Sequence, residues 1–324
     1  MSSMPSKRQN TSRLRGLSLY NNFATDCAGD VSEDSEWRPW LIPVFVLASM
    51  VVFVVTMYVN NCPMNNSRAF GDCVAKPLGA LAFQPLRENP LFGPSSSTLV
   101  KMGALDWSKI VHQKQGWRLI TSIWLHAGVV HMLLNLSCLT LLGVCLEQRF
   151  GFARVGIIYL LSGFSGSILS SFFIEGRVSA GASGALFGLV GAMLSEIMAN
   201  WTVYTNKAPT ILKLLCIMAV NLAIGILPHV DNFTHIGGLI SGLLLGLVIL
   251  VPPQYAWLRR YFPVNSPVKF KRNTFRNALR LVAMSLFMIG MVAALAMLFK
   301  GKTGNENCSW CHYLSCVPTS KWQC

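Results

Sequence analysis

The chain has 324 residues, of which 52% are hydrophobic and only 12% charged. Soluble domains carry about 25% charged residues, so a soluble globular fold is excluded. The formal net charge of +14 gathers in one segment beside apolar runs instead of forming a nucleic-acid surface, and no nucleic acid is expected as a partner.

Residues 1–38 are polar, mixed in charge and without helical or strand period, which predicts a disordered cytoplasmic N-terminal tail. Charge-free apolar stretches follow at 39–67, 119–146, 155–174, 178–195, 214–230, 232–258 and 281–299, each of roughly membrane-spanning length. The expected fold class is therefore an all-α polytopic membrane protein. Six spans occupy a core over 39–258, and a seventh C-terminal transmembrane helix covers 281–299. The first stretch lies too far from the N-terminus, and lacks the flanks, to be a cleaved signal peptide, and reads as a signal anchor. The loop 60–118 is too long for a connector and includes the apolar pieces Leu78–Phe83 and Leu91–Phe92. Loops of this length are functional or disordered. Trp107, Trp117 and Trp124 suggest contact with the headgroup zone.

The second span holds His126, His131 and Asn135. His131 and Asn135 stand at i, i+4 and project from one helical face. As uncharged donors they suit an oxyanion; polar glue between helices is the alternative. A hydrolytic zinc site wants three ligands and an open position, and no acid lies nearby in the spans, so no metal is expected. The fourth span opens on Gly181-Ala182-Ser183-Gly184. Its glycines could serve close packing alone, Gly184 and Gly188 making a small-xxx-small pair. They would equally leave space for a peptide backbone beside the Ser183 hydroxyl. In the sixth span His235 follows Asp231, which reads as the N-cap. A histidine at this depth is by default a site hypothesis, although a backbone carbonyl could satisfy it. Gly238, Gly242 and Gly246 continue on the face of His235, so the helix can approach a neighbour closely.

Residues 259–280 form a basic loop with Arg259, Arg260, Lys269, Lys271, Arg272, Arg276 and Arg280 and no acid. Such loops mark the cytoplasmic side, as do Arg149 with Arg154 and Lys207 with Lys213 in the shorter loops of the same parity. The N-terminus is then cytoplasmic and the C-terminal tail 300–324 lumenal or extracellular. Spans two, four and six all enter from outside, with Ser183, His235 and His131 each a few residues in, and Ser183 and His235 are expected within ~10 Å of that surface at ~1.5 Å per residue. Cys62, Cys73, Cys308, Cys311, Cys316 and Cys324 also fall outside, where an oxidising lumen would pair them as disulfides. The tail Cys308-Ser-Trp-Cys311-His312 matches a c-type haem pattern as well, and Cys316 could complete a zinc site. Cys138, Cys145 and Cys216 lie in spans and Cys27 in the N-terminal tail.

These pieces together resemble the rhomboid family of intramembrane proteases. The resemblance rests on Trp117-Arg118, His126 with His131-Met-Leu-Leu-Asn135, Glu147 with Arg149 and Gly151, Gly181-Ala-Ser183-Gly184 and His235-Ile-Gly-Gly238. Glu88-Asn-Pro-Leu-Phe-Gly-Pro94 and Cys308–Cys324 look like segments of plant members. The resemblance implies a six-helix core plus one span and a cofactor-free serine protease. Ser183 would be the nucleophile, His235 its base, and His131, Asn135 and the Ser183 amide the oxyanion donors, with Gly181 and His126 in support. Bacterial members often carry tyrosine four residues after the serine, where this chain has Phe187. Phenylalanine can stack on the imidazole but not hydrogen-bond, so His235 is expected to be held less firmly. The implied substrates are single-span proteins in the lipid bilayer, and the expected lumenal cysteines fit a membrane of the secretory pathway, Golgi or plasma membrane. A catalytically dead relative acting in trafficking is the alternative.

Overall fold

The computed structural model describes residues 38–65, 70–173, 176–199, 201, 207–225, 231–250, 274–304, 308 and 311–314. The expected disordered tail (Arg38 apart), most of the basic loop, Cys27, Cys316 and Cys324 lie outside these residues. Lipid offers backbone groups no partners, so apolar runs must close their hydrogen bonds internally. Here they do so as α1 (Leu41–Asn60), α2 (Val129–Phe150), α3 (Phe152–Ser171), α4 (Ser183–Ala199), α5 (Lys207–Ile224), α6 (Asn232–Ile249) and α7 (Thr274–Phe299). Helices α1, α2, α3, α6 and α7 are long and apolar enough to cross a membrane, while α4 and α5 are shorter apolar helices. The fold is helical, and strand-like pairing among the described residues is limited to the isolated bridges Val74–Phe83 and Leu105–Ser179.

Helix α4 is the centre of the bundle. From Ser183 to Ile197 every residue except Leu194 is buried, and α3 and α6 pack both against it and against each other. The close approach comes from glycine. A Cβ on Gly238 would overlap the Gly184 carbonyl oxygen, one on Gly242 the Gly188 carbonyl oxygen, and one on Gly246 the Ser195 hydroxyl. The stripe expected on the sixth span therefore faces the fourth. Helices α1 and α7 lie further out, with Leu47, Val51, Leu281 and Ile289 turned outward.

Residues quoted for the family resemblance also do structural work. The buried Glu147 carboxylate accepts from the N–H groups of Trp40, Leu41 and Ile42 at 2.9, 2.8 and 2.9 Å. It thus caps α1, which has no side-chain cap of its own. Arg149 pairs with Glu196 of α4 at 3.7 Å, and Gly151, at φ 83°, turns the chain from α2 into α3. Arg118 donates to the carbonyls of Val100 and Ala104 at 2.7 and 2.9 Å, fastening the first loop.

That loop is ordered over its described residues. Cys62 and Cys73 are joined by a disulfide. The side-chain oxygen of Asn60 accepts from Ser95 N–H at 2.9 Å, Thr98 Oγ1 at 3.1 Å and Gln84 Nε2 at 3.2 Å. The expected second span also begins later than its charge-free run. Residues 118–124 form two short helical turns, Leu125 is extended, and α2 starts only at Val129. The loop covers this break: the Phe92 and Leu91 carbonyls accept from Val129 and Val130 N–H at 3.0 and 3.3 Å. Asn89 Nδ2 donates to the Ala127 carbonyl at 2.7 Å. Trp124 packs edge-on against Phe45 with ring centres 5.2 Å apart.

Candidate active site

Ser183 is the first residue of α4 and is buried. The segment leading to it is held from outside the bundle. Leu105 N–H donates to the Ser179 carbonyl at 2.9 Å, and Gly181 N–H to the Ser122 carbonyl at 3.0 Å. Gly181 has φ 153°, a backbone that side chains other than glycine's rarely adopt. A Cβ there would lie 2.7 Å from His131 Cε1, 3.1 Å from His131 Nε2 and 3.6 Å from Ser183 Oγ. A side chain there would run into the imidazole, so glycine is what lets His131 Nε2 and Ser183 Oγ both come close to this point of the backbone.

His131 and Asn135 lie on the first two turns of α2, both buried. Ala127 N–H donates to His131 Nδ1 at 3.4 Å. An Nδ1 that accepts places the ring proton on Nε2, the nitrogen beside Gly181. Asn135 Nδ2 donates to the His131 carbonyl at 2.9 Å, with a second N–H left on the same nitrogen. Among the described residues His131 Nε2 and Asn135 Oδ1 have no hydrogen-bond partner. His126 was expected inside the second span. It lies in the segment before α2, buried, with its ring centre 5.6 Å from that of His131. No three His, Cys, Asp or Glu side chains gather among the described residues.

Asp231 caps α6, its carboxylate accepting from Phe233 N–H at 3.0 Å and Thr234 Oγ1 at 3.3 Å. One turn on, the His235 ring stacks on Phe187, with centres 4.4 Å apart and planes 6° from parallel. Phe187 stands one turn after Ser183 on α4, so the imidazole lies along the serine's face of that helix. Its Nε2 is buried without a partner among the described residues, and no hydrogen bond yet joins it to Ser183. Such bonds are often long in a free enzyme and tighten with substrate. Nδ1 lies 2.9 Å from Asn232 Oδ1. Asn232 had no place in the sequence reading, although its i, i+3 spacing from His235 could have marked it. At the rim, burial lowers the basicity of Arg177, against the charge of Asp231.

In the tail Cys308 and Cys311 are joined by a disulfide and lead into a helical turn, Cys311–Leu314.

A family model described as the Rhomboid domain matches residues 113–252. The chain is 55% identical to RHOMBOID-like protein 2 of Arabidopsis thaliana, over 90% of this chain and 92% of that one. Identity to RHOMBOID-like protein 6, mitochondrial, of the same plant is 52%, over 90% and 95% of the two chains. Identity to its Inactive RHOMBOID-like protein 8 is 40%, over 97% and 94%.

Proposed function

Because this chain belongs to the rhomboid family, we propose that it is an intramembrane serine endopeptidase with Ser183 as nucleophile and His235 as base. The observation that carries the reading is the close approach at Gly181, where His131 Nε2 and Ser183 Oγ both lie within 4 Å of one point beside the backbone. A peptide carbonyl brought against these two side chains has a nucleophile on one side and a neutral N–H donor on the other. Ser183 Oγ attacks, its proton passes to His235 Nε2, and charge develops on the carbonyl oxygen. His131 Nε2–H, the free N–H of Asn135 and the Ser183 amide hold that charge. The amide sits at the positive end of α4. His235 then protonates the leaving amine, and water releases the acyl group from Ser183.

The substrates proposed are single-span proteins cut in the outer part of their helix. A helical carbonyl is engaged in its own ladder, and opening a turn in lipid leaves groups unpaired at several kcal/mol each. Gly and Pro weaken a helix by roughly 1 and 3 kcal/mol, so helix-breaking residues near the outer surface should favour cleavage. Disulfides in the first loop and in the tail support a secretory membrane with both segments lumenal and the N-terminus cytoplasmic. We further propose the division into N-terminal tail, six-span core, basic loop, seventh span and Cys-rich tail.

The test is incubation of the purified chain with a fluorophosphonate probe and with a cleaved single-span substrate. Labelling should map to Ser183. Replacing the substrate's helix breakers by leucine, with the scissile residue kept, should slow cleavage at least tenfold. An unlabelled, inactive chain would favour the second reading, a non-catalytic trafficking relative, which the 40% identity to a protein named inactive brings forward.

A further inference from the structure

Phe187 cannot hydrogen-bond the imidazole it stacks on, so the orientation of His235 has to come from elsewhere. The hydrogen bonds around Asn232 supply it. Asn232 is the first residue of α6 and is buried. Its Nδ2 lies 2.7 Å from the carbonyl oxygen of Leu314 and 3.3 Å from that of Leu222. Its Oδ1 lies 2.9 Å from His235 Nδ1. Both carbonyls can only accept, so the amide's NH2 must face them. Oδ1 is then fixed toward the imidazole, and an amide oxygen can only accept as well. His235 must therefore donate from Nδ1, which leaves the lone pair on Nε2.

The two carbonyls differ in origin. Leu222 stands in the last turn of α5, where carbonyls lack helical partners. Leu314 belongs to the tail beyond α7, on the turn that follows the Cys308–Cys311 disulfide. Gly225, just past α5, gives Asn232 its room, since a Cβ there would overlap Oδ1. The amide is thus clamped between the core and the tail, and its spare oxygen is presented to the histidine.

We infer that Asn232 is a positioning residue that sets the tautomer of His235, and that the C-terminal tail, through the Leu314 carbonyl, holds Asn232 in the orientation that does so. The inference rests on the proposed role of His235 as base. Only the Nδ1–H tautomer has an Nε2 able to take the Ser183 proton. The Asn232 oxygen also steadies the imidazolium that follows, the part a carboxylate plays in a three-residue triad. The tail is then a component of the active site, although more than 70 residues separate Leu314 from His235 in sequence.

The experiment uses the full chain, 15N-labelled at histidine, with His235 signals assigned by difference from a His235→Gln variant. Long-range 1H–15N spectra report which ring nitrogen carries the proton. The wild type should show His235 protonated at Nδ1. Asn232→Leu should mix the tautomers and lower kcat by about 10- to 100-fold, the range of one lost hydrogen bond to a charged group, with KM little changed. Asn232→Asp keeps an acceptor for Nδ1 and should keep the tautomer and more of the activity. The paired variant Cys308→Ser with Cys311→Ser loosens the turn carrying Leu314 and should give a second set of His235 signals. A wild-type His235 protonated at Nε2, or an Asn232→Leu spectrum matching wild type, overturns the positioning role. Unchanged signals in the paired serine variant overturn the tail's share. The spectra do not depend on turnover. An inactive wild type with the Nδ1–H imidazole would therefore sink the protease reading and leave this one standing.

Discussion

Replacing Gly238 by alanine tests whether the distance between α4 and α6 sets the geometry of Ser183 and His235. A methyl group on Gly238 would overlap the Gly184 carbonyl oxygen and lie 2.8 Å from its carbon and 3.0 Å from its Cα. All three are backbone atoms of the residue after the nucleophile, and none can turn aside as a flexible side chain would. Ordinary carbon contacts lie at about 3.5–4.0 Å, so the helices must part by roughly 1 Å. Overpacking of this kind costs about 1–3 kcal/mol. At roughly 1.5 °C per kcal/mol for a chain of this length, the melting temperature in detergent should fall by a few degrees. Activity should suffer more, because a misplacement of ~1 Å costs on the order of 100-fold in rate. The assay pairs a thermal melt with the rate of fluorophosphonate labelling at Ser183. Gly290→Ala is the control: nothing lies within 4 Å of a Cβ there, and alanine's helix preference predicts a change of at most about 1 kcal/mol, in the stabilising direction. Wild-type melting and labelling in Gly238→Ala would refute the argument, as would equal damage from Gly290→Ala.

Ser183→Ala and His235→Ala should each abolish cleavage of a single-span substrate while leaving the thermal melt intact. Full turnover by either would remove the dyad. Asn135→Ala should slow the reaction about 100- to 1,000-fold, since other oxyanion donors remain; single-turnover kinetics read this directly. Glu147→Ala leaves three N–H groups at the start of α1 without their carboxylate. With about 1.5–3 kcal/mol for a bond to a charged group, and only Ile42 N–H deeply buried, the loss should total about 3–5 kcal/mol in unfolding experiments, part of it recovered by Glu147→Gln. Opening the disulfide with Cys62→Ser and Cys73→Ser should cost about 2–3 kcal/mol and expose the first loop to limited proteolysis at unchanged helix content by circular dichroism.

The helices were legible because lipid leaves an apolar chain one way to satisfy its backbone. The stripe Gly238, Gly242 and Gly246 was legible because it repeats at one turn. Asp231 was readable as a cap from its place before an apolar run, and its bond to Phe233 N–H is local. The break before α2 was not legible. Its polar backbone is completed by Asn89, Leu91 and Phe92, some 38 residues away, and nothing in the apolar run from 119 to 146 signals such partners. Asn60 and Asn232 were passed over for a similar reason. Asn60 draws its partners from residues 84 to 98, and although the i, i+3 spacing of Asn232 from His235 is local, spacing along one helix cannot show that the carbonyl fixing its amide belongs to the tail.

The cap on α1 has a consequence for how the chain is made. Trp40, Leu41 and Ile42 precede Glu147 by 105 to 107 residues. At synthesis rates of about 5–20 residues per second, the carboxylate leaves the ribosome roughly 5–20 s after the amides it will receive. Throughout that interval α1 has been made but its first turn is unlocked. Helix α1 is thus fastened only when α2 is complete. A nascent chain stalled before residue 147 should carry α1 with its N-terminal amides exchanging freely with water, and one stalled after α3 should carry them protected.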